Sequence, residues 1–124
     1  MRLLDSNILI YACQPEHEFL GAWLAADDTR LSAISIPEVL GFPGLDAEDE
    51  ALFDAWFAQF FVEAVTEPTL RRAAALRRRQ RMKPGDSIIA ATALEIGAEL
   101  VTRNVADFNH LAELRVVNPF ASTP

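Results

Sequence analysis

Four acids stand where an apolar segment gives way to polar residues. They are Asp5 in MRLLDSNILIYA, Glu38 in SIPEVLG, Asp86 in KPGDSIIAATAL and Asp107 in LVTRNVADF. A carboxylate that borders a packed segment is anchored. Any one of them is explained by helix capping, because the free N–H groups of a first helical turn favour a carboxylate. The set is harder to explain that way. Crowded carboxylates repel one another and are stable together only with protons or a cation among them. Hard oxygen donors select Mg²⁺ or Mn²⁺. Such an ion activates a water and neutralises charge on a transferring phosphoryl group. Ser6 and Asn7 are expected to hold the turn around Asp5. Thr102 is expected to orient a ligand, and the neutral Asn104 lies between it and Asp107.

The acids need elements that carry them to one edge. Residues 2–4, 29–35, 62–65, 99–104 and 115–119 read as short strands. Apolar residues at helical spacing, with caps and breakers, mark helices over 16–26, 36–42, 46–61, 67–82 and 86–98. Ser6 or Asn7 is expected to cap a helix after the first strand. The inner side of helix 67–82 is expected to be Leu70, Ala73, Ala74 and Leu76. Residues 105–114 read as short helix or loop. Strands alternating with helices imply an α/β fold with parallel pairing and helices on both faces. In such a sheet, function gathers beyond the carboxyl ends of the strands. Asp5 ends the first strand, Glu38 follows the second, and Asn104 and Asp107 follow the fourth. Asp86 opens a helix.

The chain has 124 residues, 51% of them hydrophobic, which predicts one ordered domain over 1–124. No apolar run approaches a membrane span, and Asp5 interrupts the start too early for a secretory signal. A cytoplasmic protein with no membrane partner is expected. The single Cys13 lies among Ile8, Ile10 and Tyr11 and reads as a buried, inert thiol. The net charge of -7 argues against a simple nucleic-acid binder. The average hides a segregation, however. Arg71, Arg72, Arg77, Arg78, Arg79, Arg81 and Lys83 fall in one stretch that has no acid. On a helix these cations form stripes that lead to Asp86. They fit either a phosphate backbone or an acidic segment of a partner, against the plainer reading of a solvated helix face. Arg103 is a further candidate for phosphate contact.

The segments LLDSNILIY, SIPEVLG, KPGDSIIAATAL and LVTRNVADF, in that order and at those intervals, resemble the PIN-domain ribonucleases, specifically the VapC-type toxins of toxin–antitoxin pairs. The resemblance covers nearly the whole chain. It implies a PIN-like α/β/α sandwich with a short-stranded, mostly parallel sheet. The family's acidic triad falls on Asp5, Glu38 and Asp86. Its variable fourth position falls on Asn104 or Asp107; Asp107 is favoured, with Asn104 as a neutral helper. The resemblance further implies metal-dependent cleavage of RNA, a cognate antitoxin and a homodimer. RNA or the antitoxin would then be met by Arg71, Arg72, Arg78, Arg79, Arg81 and Arg103.

Two other functions compete. LDSNIL distantly resembles the opening motif of haloacid-dehalogenase-like phosphatases. There a second acid is needed two residues on; here that position is Asn7, and the only lysine is Lys83. A receiver domain is disfavoured because the acids are not clustered early. A catalytically inactive PIN-fold binding module is the other alternative, and the retained acids argue against it. Trp23, Trp56 and the phenylalanines fall at helical spacing, which predicts core or dimer interface. His17 and His110 lack ligand spacing and are expected to be ordinary surface residues.

Overall fold

A computed structural model describes residues 1–121. Five short strands, β1 (Arg2–Leu4), β2 (Thr29–Ser32), β3 (Phe61–Glu63), β4 (Glu99–Val101) and β5 (Val116–Val117), form one sheet. Every neighbouring pair is parallel, in the order β3-β2-β1-β4-β5. The helices are α1 (Ser6–Ala12), α2 (Gly21–Leu24), α3 (Ser35–Leu40), α4 (Ala47–Gln59), α5 (Glu67–Arg79) and α6 (Pro84–Ile96). Pro15–Leu20 and Val105–Asp107 are 3₁₀ turns.

Side chains on a strand alternate between faces, so the central strands serve two cores. Leu3 and Leu100 join Leu76, Met82, Ile89, Phe108 and Leu111 on the face of α5 and α6. Leu4 and Val101 join Ile8, Leu20, Leu31, Val39 and Phe53 on the face of α1, α3 and α4. This is the α/β sandwich expected, with a sheet that is parallel throughout the described residues. No described helix is long and apolar enough to cross a membrane.

Local chemistry sets the helix ends. Asp46 and Thr66 cap α4 and α5 by accepting the N–H groups of Asp49 and Thr69. Gly97, at φ 67°, supplies the left-handed residue that ends α6. Four expectations need correction. The cap of α1 is Asp5, whose side chain accepts from Ser6 N–H, in place of Ser6 or Asn7. The buried side of α5 is Thr69, Ala73 and Leu76, whereas Leu70 is 47% exposed and Ala74 is exposed. Thr69 turns inward because its hydroxyl pairs with that of Thr66, the cap. Cys13 is only half-buried, with its thiol donating to the Ile10 carbonyl. His17 is half-buried among Tyr11, Phe19 and Phe120, so it is not an ordinary surface residue.

Candidate active site

The strand order places β1 beside β4, with the chain running away to either side. That junction is where a parallel sheet opens a crevice beyond its strand ends. Asp5 ends β1 and Thr102 follows β4, and the two side chains meet across it. The Thr102 hydroxyl donates to Asp5 Oδ2 at 2.8 Å. Ser6 N–H donates to Asp5 Oδ1 at 2.8 Å. Asp5 N–H in turn donates to the Val101 carbonyl at 2.9 Å. The carboxylate is fixed from both strands and is only 7% exposed.

Glu38 enters from α3. The Ser6 hydroxyl donates to Glu38 Oε1 at 2.6 Å. Ser6 Oγ also lies 2.8 Å from Ser35 Oγ. A hydroxyl has one proton, so with Ser6 donating to Glu38, Ser35 donates to Ser6. Both serines are buried. A chain Ser35–Ser6–Glu38 therefore locks the glutamate beside Asp5. Its other oxygen lies over Gly85, where any Cβ would collide with Glu38 Oε2. Glycine at 85 thus makes the room that lets Glu38 reach the start of α6.

Asp86 enters from the opposite layer, in the first turn of α6. No side chain caps this helix, and Pro84 occupies its start. Asp107, exposed, closes the 3₁₀ turn after β4 and lines one cavity with Asp86. Asn104 contributes its backbone N–H to Thr102 Oγ1 at 3.0 Å. Asn7 follows the capped turn, and its Oδ1 is buried with no donor.

The electrostatics tie the four acids together. Burial, with Asp86 and Glu38 nearby, pushes Asp5 up to about 6, against the hydrogen bonds of Thr102 and Ser6. Asp86 is raised by burial, then by Asp107 and by Glu38, with Lys83 opposing. Each acid thus feels at least one other. As placed, no group of three or more His, Cys, Asp or Glu side chains among the described residues could hold a metal ion. The donors are nonetheless oxygens, mutually repelling, with an orphan amide oxygen next to them in the chain. That chemistry fits a hard divalent ion.

The fold has counterparts among known proteins. The PIN domain family model matches residues 2–114. The chain belongs to the PIN domain family. PIN domains are a family of nucleases. A search of curated proteins found no match. Among solved structures, a toxin–antitoxin complex from Klebsiella pneumoniae is 28% identical, with a TM-score of 0.80 over 96% of this chain and 98% of that one. FitAcB from Neisseria gonorrhoeae is 28% identical, with a TM-score of 0.77 over 97% and 99%. VapBC2 from Rickettsia felis, bound to a fragment of promoter DNA, shares the fold at 19% identity and a TM-score of 0.76, over 94% and 97%.

The basic residues divide once their partners are seen. Arg71 pairs with Glu67, and Arg79 makes two bonds to Glu113. Arg103 is exposed and stacked on aromatic rings. Its guanidinium packs 4.2 Å from the Phe120 ring and 4.9 Å from that of Tyr11. Arg72 and Arg78 are exposed on α5. Arg77, Arg81 and Lys83 line the cavity that holds Asp86 and Asp107. Sequence reasoning missed three members of this neighbourhood. Ser35 stands one helical turn before Glu38, a spacing that could have revealed it. Gly85 precedes Asp86 directly. His110 is not a surface residue: both ring nitrogens are buried without a partner.

Proposed function

We propose that this protein is a metal-dependent endoribonuclease and the toxin of a toxin–antitoxin pair. One observation carries the reading: Asp5, Glu38, Asp86 and Asp107 sit on four separate elements yet couple electrostatically at the mouth between β1 and β4. Asp5, Glu38 and Asp86 would hold Mg²⁺ or Mn²⁺, with Asp107 as the fourth acid and Asn104 as a neutral neighbour. Bound there, the ion supplies an activated water and the positive charge that phosphodiester hydrolysis requires. The chain's own groups do the positioning. Thr102 and Ser6 hold the Asp5 carboxylate in one orientation, and the Ser35–Ser6 relay does the same for Glu38. Water oxygen bonds to phosphorus as the ester P–O bond breaks, and the proton the water gives up goes, through solvent, to the leaving oxygen. No protein nucleophile is required.

The partners proposed are RNA as substrate, a cognate antitoxin and a second copy of the chain. The likeness to a toxin–antitoxin complex over almost the full length of both chains supports the antitoxin. A single domain over the chain and a cytoplasmic site of action complete the reading.

Purified protein is tested on defined RNA with Mg²⁺, with Mn²⁺ and with EDTA, alongside Asp5→Ala and Asp86→Ala. Cleavage by the wild type with either ion, lost in EDTA and in both folded variants, is the expected result. Full activity in EDTA or in Asp5→Ala would contradict the mechanism.

A further inference from the structure

A cavity of about 500 Å³ opens from the acids toward the end of α5. Asp86 and Asp107 form its acidic wall; Arg77, Arg81 and Lys83 form its basic wall. A second cavity, also about 500 Å³, shares Arg77, Arg81 and Met82 with it and adds Arg78. The two together make a cationic track along the end of α5 that leads to the acids.

The cations of this track are not used up by the protein. Arg71 and Arg79 have carboxylate partners and lie outside both cavities. Arg77 is held by one bond only, from Nε to the Met82 carbonyl at 3.0 Å. That bond fixes the guanidinium and leaves its two terminal nitrogens to bind something else. Among the described residues, Arg78, Arg81 and Lys83 form no ion pair with an acid. Cations at helical spacing repel each other, so an anion between them relieves that repulsion.

The remaining lining carries recognition chemistry. Gln80 offers an amide with donors and an acceptor. His110 lines the same cavity, and both its ring nitrogens are shielded from water with no partner. Buried polar atoms are rarely left so, because each unmade bond costs about 1–3 kcal/mol. A half-turn about Cβ–Cγ exchanges each nitrogen with a ring carbon and keeps the ring plane. That half-turn leaves the packing of the ring unchanged, and the ring is part of the cavity's lining.

We infer that this cavity is a nucleotide subsite of a single RNA strand: Arg77, Arg81 and Lys83 hold a phosphate next to the scissile one, and Gln80 and His110 read the attached base. The inference rests on the ribonuclease reading above and names the residues that would give it sequence preference. Continuity favours nucleic acid as occupant: the cavity shares Asp86 and Asp107 with the acids assigned to phosphodiester hydrolysis, so a strand bound at those acids runs onto the cations.

The test is binding without cleavage. Fluorescein-labelled pentaribonucleotides of A, C or U are titrated in EDTA, over a range of salt, by anisotropy. The wild type should prefer its best homopolymer over its worst by about tenfold, the discrimination one well-contacted base supplies at about 1–3 kcal/mol. Arg77→Gln with Arg81→Gln should weaken all three alike and lower the log–log salt slope by roughly one to two. Gln80→Ala, on an exposed residue, and His110→Gln should instead collapse the preference toward one while keeping the salt slope. Gln80→Ala keeps the test sound if the variant at the half-buried His110 unfolds. Unchanged binding in the arginine variant overturns the subsite, and so does weakened antitoxin inhibition with intact RNA binding. If the wild type binds these probes as expected but cleaves no RNA with metal, the subsite stands and the nuclease reading falls. If it cleaves and the variants bind as the wild type does, the reverse holds.

Discussion

Asp5 is expected to destabilise the metal-free protein, and urea unfolding can measure the effect. Burial and the neighbouring acids lift its carboxyl from 3.8 to about 6. As pH rises, the unfolded chain gives up this proton before the folded one does. Stability therefore falls between the unfolded and folded pKa values and levels off above the higher one. The separation of a little over two units corresponds to roughly 3 kcal/mol, at about 1.36 kcal/mol per unit. Asp5→Asn removes the charge and keeps the shape. The amide oxygen can accept the Ser6 N–H. The amide nitrogen can donate to Thr102 Oγ1, which has a second lone pair beside the one that accepts Asn104 N–H. The Thr102 proton loses its acceptor, which takes back about 1 kcal/mol.

The net expectation is a variant about 2 kcal/mol more stable than wild type near neutral pH, in EDTA. Urea unfolding at pH 5 and pH 7.5 measures it. The advantage should grow by about 1.4 kcal/mol between those two pH values, since part of the loss has already occurred at the lower one. Added Mg²⁺ should stabilise wild type by RT ln(1 + [Mg²⁺]/Kd) and leave the variant nearly unmoved. An advantage that is absent at pH 7.5, or that does not grow with pH, refutes the reasoning. Asp5 would then ionise without penalty, and no repulsion would be there for a cation to relieve.

Gly85→Ala should cut RNA cleavage at least tenfold while melting temperature holds or rises. Alanine suits a helix better by about 1 kcal/mol, but its Cβ displaces the Glu38 carboxylate. Cleavage rates and thermal melts, read together, separate the two effects. Thr102→Val removes the donor to Asp5 and the acceptor of Asn104 N–H, so unfolding should show a loss of about 1–3 kcal/mol. Because the Thr102 bond lowers the Asp5 pKa, its loss should move the acid limb of the pH–rate profile upward. Arg71→Gln and Arg79→Gln should leave RNA affinity and its salt slope unchanged in anisotropy titrations, since Glu67 and Glu113 engage those side chains.

The legible parts of this chain are those fixed by neighbours in sequence. Short apolar runs bounded by acids mark β1, β2 and β4, and the alternation of strand and helix implies the parallel sheet. Family resemblance picks out Asp5, Glu38 and Asp86 together. What was not legible depends on geometry across the chain. In α5 the inner stripe begins at Thr69, one residue before the more apolar Leu70, because a hydroxyl pair with Thr66 sets the phase. An alanine-rich helix offers little else to fix it. The seven cations look equivalent in sequence, and only partners 4 to 34 positions away separate Arg71 and Arg79 from the rest. His110 has no spacing partner at all; the turn after β4 brings it to the cavity beside Asp86.

Each acid of the mouth stands on a differently anchored element, and repulsion explains why. Asp5 is bound to β1 and β4 at the middle of the sheet. Glu38 rides on α3, whose Val39 is buried in one core; Asp86 opens α6, whose Ile89 and Ala90 are buried in the other. Asp107 sits on a turn whose next residue, Phe108, is fully buried. A flexible loop bearing the same acids would relax by moving them apart into water. Here two independent apolar cores resist that relaxation, so the unfavourable field is maintained in the metal-free protein. Under the proposed function the same field would draw a divalent ion to the mouth, and the topology that puts β1 beside β4 decides where that mouth lies.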